Sequence, residues 1–281
     1  MIFYKNPLLL SILSGVLLTF SWPVGGLSLL IFGSLIPLFF IEHQITNDSN
    51  KSKKLRLFAF SFLSFFIWNM GTTWWIYNSS VFGMVFAIVC NTSFYVIIVM
   101  LFHWSKKRLP LRSAYIFLVT LWIAFEKFHL EWDFSWPWLN LGNVFSEDIL
   151  WIQWYEYTGS FGGSLWVLLI NIGLFEVLKK NKVSLKNTVW VKKISPWLIG
   201  IAIPIVISLI IFQKEKEVIP TTEVILLQPN IDPYNEKYEK ENVPKFARKM
   251  ISKVSNIRFN FYNKKSTMRE HIDNIQSIFD G

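Results

Sequence analysis

The chain has 281 residues, 52% of them hydrophobic and 17% aromatic, with only 17% charged. Soluble domains carry roughly 25% charged residues, and here apolar runs of about eighteen residues recur. That pattern excludes a soluble globular domain and points to an all-α polytopic membrane bundle. The net charge of +9 would suggest nucleic acid in a soluble protein, but the Lys and Arg residues sit in short loops between apolar runs, as a topology signal does.

In chain order, seven spans are expected: Pro7–Trp22, Val24–Ile41, Leu57–Tyr77, Val81–Trp104, Ser113–Leu130, Gly162–Leu178 and Ile194–Phe212. The N-terminal stretch lacks a small-residue cleavage site and reads as a retained first helix rather than a signal peptide. Lys51, Lys53, Lys54 and Arg56 fall between spans two and three, and Lys106, Lys107, Arg108 and Arg112 between spans four and five. Lys179, Lys180, Lys182, Lys186, Lys192 and Lys193 fall between spans six and seven. The alternate loops carry no Lys or Arg, so the positive-inside rule places the N-terminus in the cytoplasm and the tail after residue 212 outside.

The loop from Glu131 to Gly162 holds Trp132, Trp136, Trp138, Trp151, Trp154, Tyr155 and Tyr157. Such amphipathic aromatics prefer the headgroup layer. Composition favours an aromatic belt anchoring helix ends over the wall of a lipid-binding site. Glu126 and Lys127 stand near the outer end of span five, where a functional role and simple snorkelling to water weigh equally. His43, His103, His129 and His271 show no pair at ligand spacing, so no metal is expected. "TGSFGGS" (158–164) fits no nucleotide-binding or nucleophile-elbow pattern and reads as flexible backbone opening a helix. Asp133, Glu131, Glu147 and Asp148 follow no acid–base or metal spacing. Cys90, the single cysteine, lies in an apolar run; it excludes an intrachain disulfide and a cysteine metal cluster.

The tail changes character. Val224 to Leu227 form one continuous apolar run, read as a buried strand, and "PYNEKYEKENVPKFARKM" leads into a short amphipathic helix. One strand and one helix cannot bury a core.

Several stretches together resemble the apolipoprotein N-acyltransferase family. They are "LLTFSWPVGGLSLLIFGSLIPLFF" (17–40), the W-x-x-x-E and PWL-x-x-G pattern within "LWIAFEKFHLEWDFSWPWLNLGN" (121–143), "QWYEYTGSFGGSLWVLLIN" (153–171) and "VILLQPNIDPYNEKY" (224–238). The resemblance implies a transmembrane domain over 1–212 and, over 213–281, the incomplete start of an extracytoplasmic α/β nitrilase-like domain. It implies the bacterial inner membrane, a phospholipid acyl donor, a lipoprotein acceptor and no cofactor. The implied reaction is acyl transfer to the N-terminal diacylglyceryl-cysteine by a Glu–Lys–Cys triad, with Glu as base, Lys on the oxyanion and Cys as nucleophile.

No residue of this chain matches that triad. Glu223 and Glu239 lie too close to the first strand, Glu270 lacks the family's Pro-Glu context, and Cys90 is in the wrong domain. The chain is therefore expected to be a truncated or split form, inactive alone unless a second polypeptide supplies the rest. Trp136, Pro137, Trp138, Leu139 and Gly142 are the expected lipid-facing loop, and Gln228, Pro229 and Asn230 the start of the nitrilase-like domain. The alternative is a non-catalytic membrane scaffold or a transporter-like protein.

Overall fold

The computed structural model describes residues 6–23, 25–48, 52–180 and 188–214. The chain divides into two units, Met1–Glu217 and Val218–Gly281, and all the described residues lie in the first. The expected strand and Gln228, Pro229 and Asn230 lie outside the described residues. Those residues form eight α-helices and contain no strand: α1 Pro7–Ser21, α2 Ile31–Ser34, α3 Ile36–Thr46, α4 Lys53–Thr73, α5 Val81–Lys106, α6 Leu111–Glu131, α7 Tyr155–Lys180 and α8 Thr188–Lys214.

Six stretches among the described residues are long and apolar enough to cross a bilayer: Ser28–Thr46, Lys53–Asn78, Val81–Lys106, Leu111–Glu131, Tyr155–Lys180 and Val191–Gln213. The first expected span is instead a helix of 15 residues, about 22 Å long at the α-helical rise against a hydrocarbon core of about 30 Å. Its start follows from sequence. The Asn6 side chain accepts from Leu8 N at 3.0 Å and Leu9 N at 3.4 Å, and Pro7 occupies the first turn, where its missing N–H costs nothing. α1 packs closely on α4. A Cβ at Gly15 would lie 2.6 Å from the Ser64 carbonyl oxygen, and Thr19 Oγ1 donates to the Ile67 carbonyl at 3.3 Å. Small residues allow this approach between membrane helices.

The second span begins at Ser28, not Val24, and is broken at Leu35 between α2 and α3. A break inside hydrocarbon exposes backbone groups that no water can satisfy. Here α7 satisfies them: Asn171 Oδ1 accepts from Leu35 N at 2.9 Å, and its Nδ2 donates to the Ile31 carbonyl at 2.8 Å. From α1, Ser14 Oγ donates to the Ser34 carbonyl at 2.7 Å.

α8 carries Pro196 and Pro204. Each proline removes the N–H that would bond the carbonyl four residues earlier. Trp166 Nε1 on α7 donates to the Gly200 carbonyl at 2.8 Å, and Ser195 Oγ donates to the Lys192 carbonyl at 3.2 Å. The sequence thus supplies side chains for both orphaned acceptors. Most of the α8 span faces outward.

The core is aromatic. Trp68 on α4 meets Trp22 beyond α1 at 5.1 Å and Tyr95 on α5 at 5.0 Å between ring centroids, and Tyr95 meets Trp122 on α6 at 5.4 Å. Most of the ion pairs among the described residues gather at one end of the bundle. Glu42 on α3 accepts from His103 Nδ1 at 2.8 Å and pairs with Lys106 of α5. Glu176 on α7 accepts from the Tyr115 hydroxyl of α6 at 2.6 Å and pairs with Lys179. At the opposite end lie the turn after α1, the 3-10 turn Trp74–Asn78 and the long loop after α6.

A candidate functional site around the loop after the sixth helix

Residues 132–154 contain three short 3-10 turns, Pro137–Leu139, Leu141–Phe145 and Ile149–Trp151. The aromatic content suggested a loop lying on the membrane surface. Its central part is instead folded into the bundle: Leu139, Asn140, Leu141, Gly142, Val144 and Phe145 are all buried.

Three helices hold the backbone of that segment. From α6, Glu126 Oε1 accepts from Leu141 N at 2.8 Å and from Trp122 Nε1 at 3.1 Å. From α5, the Tyr95 hydroxyl donates to the Leu139 carbonyl at 3.0 Å. From α7, the Tyr155 hydroxyl donates to the Gly142 carbonyl at 2.8 Å and Ser164 Oγ accepts from Gly142 N at 2.9 Å. Within the loop, Asn143 Nδ2 donates to the Pro137 carbonyl at 2.7 Å. A buried irregular segment needs this kind of complete accounting for its N–H and C=O groups.

Gly142 lies where α7 leaves no room: a Cβ there would overlap the Ser160 carbonyl, and one on Gly163 would overlap the Tyr155 hydroxyl. The kink that brings Ser160 near comes at Gly159, whose φ of +63° interrupts α7 in a region that L side chains rarely adopt. "TGSFGGS" therefore bends and packs a helix that begins earlier, at Tyr155.

Glu126 and Lys127 part company. Glu126 is 0% exposed, while the exposed Lys127 pairs with Glu131 one turn away. Snorkelling describes the lysine and not the glutamate. Glu126 Oε2 makes no hydrogen bond of normal geometry among the described residues, and the neighbouring hydroxyl is that of Ser164. The acidic loop residues are fasteners as well. Glu147 accepts from Gly25 N at 3.0 Å and Asp148 from the Ser28 hydroxyl at 2.5 Å, tying the loop to the turn before α2.

Of the residues expected to face lipid, Pro137 and Trp138 are exposed, Trp136 is half-buried, and Leu139 and Gly142 are buried by protein. Trp138 meets Trp75 edge-on at 5.8 Å, and Phe134 meets Phe86 at 5.5 Å, so the outer surface of the loop is aromatic. Among the described residues no group of three metal-ligating side chains exists. Cys90 sits in α5 at intermediate exposure. Sequence reasoning missed Tyr95, Ser164 and Asn171, and took Tyr155 only as one of the loop's aromatics. Asn171, a polar residue inside an apolar run, was the recoverable signal.

The profile of the apolipoprotein N-acyltransferase N-terminal domain matches residues 14–173, which contain the pinned loop and all its anchors. A curated apolipoprotein N-acyltransferase of Chlorobaculum tepidum is 30% identical over 242 residues, covering 84% of this chain. The chain spans about 43% of that relative's length. No solved structure matches the chain. With more than half of its length under the domain profile, the chain belongs to the apolipoprotein N-acyltransferase family.

Proposed function

We propose that this chain is the membrane part of an enzyme that moves an acyl chain from a phospholipid to the N-terminal diacylglyceryl-cysteine of lipoproteins. The observation that carries the reading is the pinned loop, where Glu126, Tyr95, Tyr155 and Ser164 fix residues 139–142 inside the region matched to the family. Rigid support behind an aromatic surface suits a site that must hold lipid chains in one place. Pro137, Trp138 and Trp136 form the lipid-facing part, and Leu139 and Gly142 support it from within the bundle.

The separation of charge supports an orientation. The ends bearing Lys53, Lys54, Lys106, Lys107, Arg108 and Arg112 face the cytoplasm, and the loop after α6 faces outward. In this reading the membrane is the bacterial inner membrane. Residues 213–281 begin the nitrilase-like domain, with Gln228, Pro229 and Asn230 in its first loop, a reading that rests on resemblance alone. The Glu–Lys–Cys chemistry implied by the family is assigned to no residue described in this chain.

The test is a fusion of this chain to the C-terminal part of the Chlorobaculum tepidum relative that it does not match. In cells depleted of their own N-acyltransferase, the fusion should restore triacylated lipoproteins and the chain alone should not. A fusion that inserts in the membrane yet leaves lipoproteins diacylated would favour a non-catalytic scaffold.

A further inference from the structure

The end of the bundle opposite the pinned loop carries a second feature. The start of α4 brings Lys53 and Lys54, and the connection from α5 to α6 brings Lys106, Lys107, Arg108 and Arg112. Nearby acids are already engaged. Glu42 takes Lys106 and His103, and Asp48 takes Arg56. Among the described residues no carboxylate forms an ion pair with Lys54, Lys107, Arg108 or Arg112.

Lys53 Nζ donates to the Asp48 carbonyl at 3.3 Å just beyond the helix whose Glu42 holds Lys106, so the start of α4 meets the end of α5 and Lys53, Lys54, Lys107 and Arg108 share one patch. Partial desolvation, then the charges of Lys53, Lys54 and Arg108, hold the Lys107 ammonium below the usual lysine range, with Glu42 opposing them. Arg108 does not swing free, because its guanidinium lies 4.3 Å over the ring of Trp104. Apolar side chains are interleaved with the charges: Leu55 is 69% exposed, Trp104 48% and Leu109 40%. Leu55 and Trp104 belong to stretches long and apolar enough to cross a bilayer, so the cations stand at the level where lipid headgroups meet hydrocarbon. A ligand with a phosphate and hydrocarbon chains satisfies both the cations and the apolar groups.

We propose that the start of α4 and the α5–α6 connection form a seat for one acidic phospholipid. Lys54, Lys107 and Arg108 hold its phosphate, and Trp104, Leu55 and Leu109 lie against its chains. The seat lies at the other end of the bundle from the pinned loop, and it stands or falls independently of the acyl-transfer reading.

The purified chain in detergent is titrated with dioleoylphosphatidylglycerol, dioleoylphosphatidylcholine and soluble glycerol phosphate, and bound lipid is counted by native mass spectrometry. The acidic lipid should bind more tightly than the neutral one. Lys107→Gln combined with Arg108→Gln should weaken it roughly 25-fold, at about fivefold for each cation near a membrane surface. Lys127→Gln, at the opposite end, should leave binding unchanged. Arg108→Lys keeps the charge but loses the planar stack on Trp104, and should cost only a few-fold. If the double variant fails to fold by helical circular dichroism, Lys107→Gln alone is read, with a fivefold loss expected. Equal binding of the two lipids, unchanged binding by the neutralised variants, or an equal loss from Lys127→Gln would overturn the seat. Displacement of the lipid by glycerol phosphate at equal concentration would assign the patch to a soluble anion and overturn it also.

Discussion

At the residue scale, Glu126 acts as a backbone partner. It has no cation beside it among the described residues, and its partners are neutral: two N–H donors on one oxygen and the neighbouring Ser164 hydroxyl. Glu126→Leu therefore strands Leu141 N inside the protein and should cost about 2 kcal/mol of stability. Glu126→Gln keeps a carbonyl oxygen in place and should cost well under half of that. Unfolding in mixed micelles read by tryptophan fluorescence decides it: equal losses for the two variants would mean that the anchor contributes nothing. Gly142→Ala tests the space rather than the bond. Its Cβ meets backbone and not a movable side chain, so the loop must shift, at roughly 1–3 kcal/mol. A Gly142→Ala protein as stable as the parent would contradict the packing described for the loop.

At the element scale, the helices show how broken backbone is tolerated in lipid. Trp166 and Pro204 should be energetically coupled, since Trp166 Nε1 replaces the donor that Pro204 lacks. Trp166→Phe removes that donor and leaves Gly200 O bare. In a Pro204→Ala background the restored N–H competes for the same carbonyl, and losing the indole should matter less. The double-mutant cycle should show a coupling of about 1 kcal/mol, and additivity would exclude the compensation. Asn171→Leu should cost more than either, about 2–4 kcal/mol, because both a donor and an acceptor at the α2–α3 break lose their partner. Chemical-denaturant midpoints for Asn171→Leu and Asn171→Gln would separate hydrogen bonding from volume. The spans themselves were legible because an apolar window of bilayer length is rare in a soluble fold. The break at Leu35 was not legible. Pro37 inside an apolar run is compatible with a kink or a stop, and the residue that makes a break tolerable sits far away on α7. Glu126 was ambiguous for the same reason: its burial is created by a loop folding back on it, which spacing along α6 does not encode.

At the scale of the whole molecule, the Lys- and Arg-rich connections and the aromatic loop lie at opposite ends, as the alternation of loops in the sequence suggested. The shortness of α1 was also readable in principle, since Trp22 and Pro23 close an apolar stretch of only 15 residues. In intact cells carrying the Cys90→Ala background, Lys127→Cys should react with a membrane-impermeant maleimide added outside, and Lys107→Cys only after the membrane is permeabilised. Labelling of both positions from one side would reject the arrangement of ends.

The hydrogen bonds that Asn171 makes across the α2–α3 break have a consequence in time. Leu35 and its partner lie 136 residues apart along the chain. At synthesis rates of about 5–20 residues per second, the N-terminal hairpin waits on the order of ten seconds in the membrane before α7 exists. During that interval its open peptide groups must be met by water, by lipid headgroups or by the insertion machinery. The N-terminal hairpin is thus a dependent guest during biogenesis. A ribosome stalled between α6 and α7 should hold it in a protease-sensitive form, and one stalled after α7 should not.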